Sequence, residues 1–589
     1  GAVVPGPAPL VDRVLESRGL SGESAREFLD PALRQLHDPS RMPGLDRAAE
    51  RLLQAARAGE PIVVYGDYDV DGVTATAILY RTLRAIAPDA QLRTYVPHRI
   101  DEGYGLNDAA IRALAGAGAR VIVSVDCGIT AVGPAATARE SGVDLIITDH
   151  HNAPSDPALL PDAFAIVHPR LPGAGSTYPF GELCGAGVAY KLAWRLATMH
   201  AGDRRVGEDL RELLVELLAL AAMGTVADVV PLVGENRVLA RFGLARCKAS
   251  PIIGLRALVE ASGLDGENID AESVGFRLGP RLNACGRMGS AVDAVELFIT
   301  EDAERARLIA AELDTQNNSR RATERRILEQ ALRLAEEAGM AGDDRRAVVL
   351  AHPDWHPGVV GIVCSRLTER LGRPSILLQT QDAEGGPVCV GSGRSIDGFN
   401  LHAALEACTE HLIGFGGHDA AAGLRLAAHN LDAFTGAFVD HANAHITPDE
   451  LTRPAGYDVE ASIDELTPRT VGELERLGPF GRDNPSVRIR LDGVRLAAMP
   501  KCMGQRGAHL DLRLEDAGGA ARRVLRAVAW NWAEQAERLA AGMPVEAIVA
   551  PKLNKWNGSV RCEAELIDLR IAEPPAISVR TRAAESAAV

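Results

Sequence analysis

Short apolar runs punctuate the first half of the chain: Pro61-Ile62-Val63-Val64-Tyr65, Val121-Ile122-Val123-Ser124-Val125 and Leu145-Ile146-Ile147-Thr148. Runs of four to six aliphatic residues, separated by Ala-rich stretches at helical spacing, predict βαβ units around a parallel sheet buried on both faces. This α/β block extends to about residue 245, with a helix-rich portion over 190–223. From Glu301 to about Gly339, Ala, Glu, Leu and Arg recur at helical spacing, which predicts a pair of connecting helices with solvated charges. A second α/β lobe follows, with strands expected at Arg346–Ala351, Pro374–Leu378 and Pro387–Ser392. Beyond Gly478-Pro479-Phe480-Gly481 the pattern shortens to apolar runs at 487–491, 509–514, 523–530, 545–550 and 560–569. Five such strands predict a small all-β barrel of the OB type.

Composition adds limits to this picture. A chain of 589 residues and 62.4 kDa exceeds one core and predicts three or four domains. The pattern places them at residues 46–300, 341–450 and 455–572, with an N-terminal segment over 1–45, connecting helices over 301–340 and a disordered Ala-rich tail over 573–589. No run of about eighteen apolar residues occurs, so no membrane-spanning helix is expected. The start, Gly-Ala-Val-Val-Pro-Gly-Pro, lacks the basic-then-apolar pattern of a signal peptide, and the nine scattered cysteines include no C-x-x-C. Reduced thiols in a cytoplasm are the simplest expectation. A net charge of −16 disfavours a protein that coats nucleic acid with a basic surface, yet leaves open a narrow channel lined by Arg and Lys.

The polar residues that follow the apolar runs carry the chemistry. Asp67, Asp69 and Asp71 follow the first run, Asp126 the second, Asp149-His150-His151 the third, and Asp228 closes Met223-Gly-Thr-Val-Ala-Asp228. In parallel sheets, ligands bind at the carboxyl ends of strands, so residues far apart in sequence can meet there. Carboxylates with imidazole suit Mn²⁺ or Mg²⁺ and admit Zn²⁺, while the absence of a Cys pair argues against a thiolate site. Several carboxylates exceed the needs of one ion. Two ions about 3.5–4 Å apart, bridged by one carboxylate, would use them all, activate water and clamp a phosphoryl group. Taken alone, Asp67–Gly72 also fits a simple turn, whereas a calcium loop fails for want of its distal Glu.

Anion binders lie elsewhere. Ser392-Gly393-Arg394-Ser395 and Gly416-Gly417-His418 combine small residues with charge, a composition suited to phosphate. Arg281, Asn283 and Arg287 fall in a Gly/Pro-rich segment where guanidinium groups would grip backbone phosphates, the alternative being a structural bridge between lobes. Arg522, Arg523, Lys552 and Lys555 interleave with Trp530, Trp532 and Trp556 as in single-strand binders, although Trp530 suits a core equally well.

Seven motifs occur in order: Tyr65-Gly-Asp-Tyr-Asp-Val-Asp-Gly72, Val125-Asp-Cys-Gly128, Thr148-Asp-His-His151, Gly224-Thr-Val-Ala-Asp228, Gly279-Pro-Arg-Leu-Asn-Ala-Cys-Gly-Arg-Met-Gly289, Trp355-His-Pro-Gly-Val-Val-Gly361 and Gly416-Gly-His-Asp-Ala-Ala-Ala-Gly423. Over roughly residues 20–570 the chain resembles the DHH phosphoesterase superfamily, and within it the bacterial single-strand-specific exonucleases. The resemblance implies a parallel-sheet DHH catalytic domain, a smaller α/β DHHA1 domain joined to it by long helices, and an OB-fold barrel. It further implies that Asp69, Asp71, Asp126, His150 and Asp228 hold metal, with Asp126 as the bridge. Asp67 is offered as a further ligand, because smaller DHH enzymes carry a His where this chain has Tyr65. His151 is expected to face the scissile phosphate and Asp149 to fix an imidazole.

The implied activity is Mn²⁺- or Mg²⁺-dependent hydrolysis of single-stranded DNA from the 5′ end to mononucleotides, in DNA repair and recombination. A monomer fed by a helicase and a single-strand-binding protein is the implied setting. A small nucleotide substrate is a second reading, against which the barrel and long helices count. A catalytically inert scaffold is a third, against which the retained ligand set counts.

Overall fold

The computed structural model describes residues 8–571 except 100, 174, 176–177, 203–204, 289, 341, 343, 448–450, 452–455, 505–506, 518–522 and 557. These residues form two compact units, one comprising Ala32–Arg453 with Gly481–Asp483, the other the residues up to Pro31 with Pro454–Phe480 and the chain from Asn484.

The larger unit begins with a five-stranded sheet, β1 (Ile62–Tyr65), β2 (Leu92–Tyr95), β3 (Val121–Val125), β4 (Asp144–Thr148) and β5 (Ala165–Val167), in the order β2-β1-β3-β4-β5. Every pairing is parallel. The continuous apolar runs make sense in this setting, since alternate residues enter different cores. Ile62, Val64, Val121 and Val123 pack on one face, and Val63, Tyr65, Ile122 and Leu145 on the other. Register aligns Tyr65 with Ser124 and Val125 with Thr148, so the loops that leave these strands emerge side by side. Helices Val70–Ile86, Gly185–His200 and Glu208–Ala227 pack together on the first face.

One uninterrupted 35-residue helix, Ala303–Glu337, replaces the expected helix pair. The polar stretch Thr315–Ala322 near its middle contains neither Gly nor Pro to break it. Its buried Asn317 Oδ1 accepts from Arg320 Nη2 at 3.0 Å, a bond made between turns of the continuous helix. The second sheet contains β6 (Val348–Ala351), β7 (Ser375–Gln381), β8 (Val388–Arg394), β9 (Gly414–Gly417) and β10 (Ala421–Ala427), ordered β6-β7-β8-β10-β9. Only the β6–β7 pairing is parallel.

The smaller unit holds β11 (Val459–Glu460), β12 (Ile489–Leu496), β13 (Lys501–Met503), β14 (His509–Asp516), β15 (Val524–Ala529), β16 (Pro544–Trp556) and β17 (Ser559–Ile571). Because β12 pairs with both β14 and β16, the five strands β12, β16, β17, β15 and β14 close a barrel. Helices Leu10–Ser17 and Gly22–Leu29 belong to this unit: Leu10 and Val14 join the barrel core, and Arg18 Nε donates to Asp458 Oδ1 at 2.7 Å. The expected segment 1–45 is thereby divided at residue 31, because its first amphipathic helices bury their apolar faces far down the chain. The expected tail 573–589 lies outside the described residues. Among the described residues no helix is long and apolar enough to cross a membrane, and all nine cysteines are free.

Candidate metal centre

The first strand-end loop is held in a single shape. Asp69 caps the helix Val70–Ile86, accepting from Gly72 N at 3.0 Å, and Asn283 Oδ1 accepts from Val70 N at 3.1 Å. A Cβ on Gly72 would stand 2.6 Å from that of Asp67, so only glycine lets Asp67 and Asp71 converge. Asp71 in turn receives Gly185 N at 2.6 Å and Ala186 N at 2.8 Å, donors that the helix Gly185–His200 leaves unpaired at its N-terminus. At Gly185 a side chain would come within 2.5 Å of Asp126 Oδ1.

The other loops are equally constrained. Asp126 adopts φ +63°, and its amide donates to Thr148 O at 3.0 Å. Asp149 accepts from His150 N at 2.7 Å, His151 N at 3.1 Å and Ile129 N at 2.9 Å, and its Oδ1 faces His151 Nδ1 at 2.7 Å. Burial would raise its pKa, but the bonds and charge of His151 prevail and hold it at about 2. Asp149 is therefore saturated by donors and supports the loop. Two residues that sequence reasoning missed complete it. His168 Nδ1 accepts from Arg170 N at 3.0 Å, which leaves the proton on Nε2 to donate to His151 O at 2.8 Å. Tyr104 Oη donates to Asp126 O at 3.2 Å and lies 3.2 Å from His151 Nδ1. His168 directly follows the run Ala165-Ile166-Val167, so the strand-end rule would have found it.

At the centre, His150 Nε2 lies 3.2 Å from Asp126 Oδ1, 3.5 Å from Asp228 Oδ2 and 3.8 Å from Asp71 Oδ2. Donor atoms of Asp71, His150 and Asp228 form one group within 4.8 Å of each other; those of Asp67, Asp69 and Asp126 form another, and Asp126 also joins His150 and His151. Asp126 thus lies in both neighbourhoods. Burial, and then the charge of Asp69, pushes Asp67 up to about 8; burial, and then Asp71, does the same to Asp228. Asp71 and Asp126 move in the same direction, mainly through burial, and burial lowers His150 to about 4. Asp67 Oδ1, Asp126 Oδ1 and His150 Nε2 are buried without a hydrogen-bond partner. Unpaired acceptors forced together out of water are costly, and oxygen with neutral imidazole suits hard-to-borderline divalent cations. The donor set fits such ions.

Family models match in three places: "DHH family, N-terminal domain" over residues 61–225, "DHHA1 domain" over 344–443 and "RecJ OB domain" over 457–568. The single-stranded-DNA-specific exonuclease RecJ of Bacillus subtilis is 38% identical, covering 96% of this chain and 68% of that protein. Its counterpart from Salmonella typhimurium is 36% identical over 89% of each. The chain belongs to the RecJ family. The fold agrees: a crystal structure of Thermus thermophilus RecJ in complex with Mn²⁺ matches with a TM-score of 0.77 at 33% identity, over 96% of this chain and 76% of that one.

The remaining candidate residues of this RecJ family member divide in two. Ser392 and Arg394 alternate on β8 above Gly361, where a Cβ would stand 3.2 Å from both Ser392 Oγ and Arg394 Nη2. Arg287 Nη1 donates to Gly358 O at 2.9 Å; burial, then the charges of Arg99, Arg320 and Arg394, lower its guanidinium to about 10. Arg99 stacks on Tyr68 at 4.8 Å, and Gly286 packs on the Tyr68 carbonyl, so this cationic cluster adjoins the loop between Asp67 and Asp69. Sequence reasoning named Arg287 and Arg394 in two separate segments and missed Arg99 and Arg320, which carry no motif.

Other candidates are engaged structurally. Arg281 pairs with Asp314 of the helix Ala303–Glu337 at 2.8 Å and donates to Arg277 O at 2.7 Å. Asn283 caps a helix, as above. Ser395 Oγ donates to Phe399 O at 2.6 Å, Gly393 packs against Leu401, and Gly417 holds φ +143° where a Cβ would strike Ala421 O. His418 is exposed, and its amide pairs with Ala421 O. In the barrel, Arg523 donates to Asp464 O, Lys552 and Lys555 are exposed, and Trp530 is half-exposed with its ring edge-on to His509 at 4.8 Å. Trp532 packs on the barrel core, whereas Arg522 and the Trp556 side chain lie outside the described residues.

Proposed function

We propose that this chain is a Mn²⁺- or Mg²⁺-dependent exonuclease that hydrolyses single-stranded DNA from its 5′ end to mononucleotides. The observation that carries the reading is the cluster of Asp67, Asp71, Asp126, His150 and Asp228, in which Asp67 Oδ1, Asp126 Oδ1 and His150 Nε2 are buried without a hydrogen-bond partner. It is supported by the relatives, which bear the name single-stranded-DNA-specific exonuclease, and by RecJ structures solved with Mn²⁺ and with Mg²⁺.

Asp69, Asp71, Asp126, His150 and Asp228, with Asp67, would hold two cations, Asp126 being shared. When bound, the cations supply Lewis acidity, lowering the pKa of water and neutralising phosphate charge. The protein's own residues do the positioning. His151 is the hydrogen-bond donor to the scissile phosphate: burial would lower its pKa, but the bond it donates to Asp149 and that carboxylate's charge prevail and raise it to about 9, so the ring keeps its proton. The His168 bond to the His151 carbonyl fixes the ring's backbone. Ser392, Arg394 and Arg287 bind a second phosphate, with charge-assisted bonds that set where the strand end stops. The barrel, with exposed Lys552, Lys555 and Trp530, holds more of the strand.

The setting we propose is DNA repair and recombination in a bacterial cytoplasm, with the chain acting as a monomer on strands supplied by a helicase and a single-strand-binding protein. Comparing strands blocked at the 5′ or the 3′ end tests the polarity. Faster loss of the 5′-blocked strand would contradict it.

A further inference from the structure

The helix Glu208–Ala227 delivers Asp228 to the carboxylate cluster, and the next residue, Val229, has φ +56°. Positions just past a helix end in this left-handed region are usually filled by Gly or Asn, because a Cβ is crowded there and a β-branched one most of all. The surroundings hold the strain in place. Val229 N donates to Val226 O at 3.3 Å, Asn236 Nδ2 donates to Pro231 O at 3.1 Å, and Leu232 N donates to Arg482 O at 2.8 Å. Nor does the core require this side chain: Val229 is 60% exposed, while Val230 and Leu232 are buried. For the turn alone Gly would serve better. A backbone outlier kept beside a reactive site points to a use for the group it carries.

We propose that Val229 is a specificity residue whose isopropyl group packs against the sugar of the nucleotide held at Asp228, favouring deoxyribose over ribose. This rests on the nuclease reading above. A phosphate bound to a cation that Asp228 would hold brings its sugar within reach of the adjacent side chain. A C2′ methylene can rest on a branched alkyl group, whereas a 2′-hydroxyl placed against it loses water and meets no acceptor on that side chain. Arg482, whose charge faces Asp228, offers donors only and cannot accept from that hydroxyl.

The test compares kcat/KM on DNA and RNA strands of one sequence for the full chain with Mn²⁺, its Val229→Gly variant and its Val229→Asn variant. Both replacements suit positive φ, so melting temperature should be equal or higher, and Mn²⁺ titration should be unchanged. The DNA-to-RNA ratio should fall about tenfold in Val229→Gly and further in Val229→Asn, whose amide oxygen accepts from a 2′-hydroxyl. An unchanged ratio in both variants, or an equal loss on both strands, would overturn the assignment. Hydrolysis of neither strand by the unaltered chain would instead overturn the nuclease reading.

Discussion

His150 Nε2 and Asp126 Oδ1 lie 3.2 Å apart in the buried centre, and neither atom has a hydrogen-bond partner. Asp126→Asn would place an amide donor there and remove a carboxyl that burial and its acidic neighbours hold against ionising. The metal-free variant should therefore melt above the metal-free parent, yet bind Mn²⁺ weakly and cleave at least roughly a hundredfold more slowly. Asp126→Ala should abolish cleavage and leave strand binding largely intact. Calorimetric Mn²⁺ titration, melting in chelator and strand anisotropy separate these effects.

Gly224→Ala should reproduce the metal defect without touching a ligand. Its Cβ would stand 2.5 Å from Asp71 Oδ1 and 2.5 Å from the Ala186 Cβ. Displacing Asp71 from the amides of Gly185 and Ala186 should weaken Mn²⁺ affinity by about 10–100-fold, as loss of supporting bonds around a metal typically does. Circular dichroism should show a retained fold.

Stability of the metal-free protein should fall as pH rises from 6.5 to 8. Asp67 and Asp228 keep their protons to about 8 in the folded chain against 3.8 when unfolded, so folding is favoured at low pH and weakened as they must ionise. His151, raised from 6.5 to about 9, stabilises most fully below 6.5 and loses that contribution as pH climbs through 9. His150, lowered from 6.5 to about 4, opposes them only below 6.5. Saturating Mn²⁺ binds the deprotonated carboxylates and should flatten or reverse the slope. Melting curves at pH 6.5 and 8, with and without Mn²⁺, read this directly.

Arg394→Ala and Arg281→Ala should differ in kind. Arg394 lies beside Ser392 in the cationic cluster, and its loss should raise KM for a 5′-phosphorylated strand by about tenfold or more. Arg281 is engaged by Asp314 and the Arg277 carbonyl, so its loss should lower the melting temperature while KM changes little.

Deleting residues 455–589 should raise KM for long strands more than it lowers kcat on short ones. An unchanged affinity for long strands would remove the barrel from substrate binding.

Legibility in the sequence followed the range of the signal. Asp67, Asp69, Asp71, Asp126 and His150 were readable because each follows an apolar run that had to become a buried parallel strand, and parallel strands gather their carboxyl ends. The five barrel strands were readable for a similar reason, their alternation being local. Arg99, Arg320 and Tyr104 were not, since polar loop and helix residues are ordinary until distant partners such as Tyr68 and His151 stand beside them. Arg281 and Asn283 show the converse: their suggestive Gly/Pro-rich segment is engaged by Asp314 and the Val70 amide. The N-terminal helices could not be assigned because Arg18 finds its partner at Asp458.

The most direct test is release of mononucleotides from a 5′-labelled single strand by the chelator-treated chain before and after Mn²⁺ is restored. The cluster of Asp67, Asp71, Asp126, His150 and Asp228 predicts no release without the ion and recovery with it. Release that persists in chelator, or that Mn²⁺ and Mg²⁺ both fail to restore, would contradict the account.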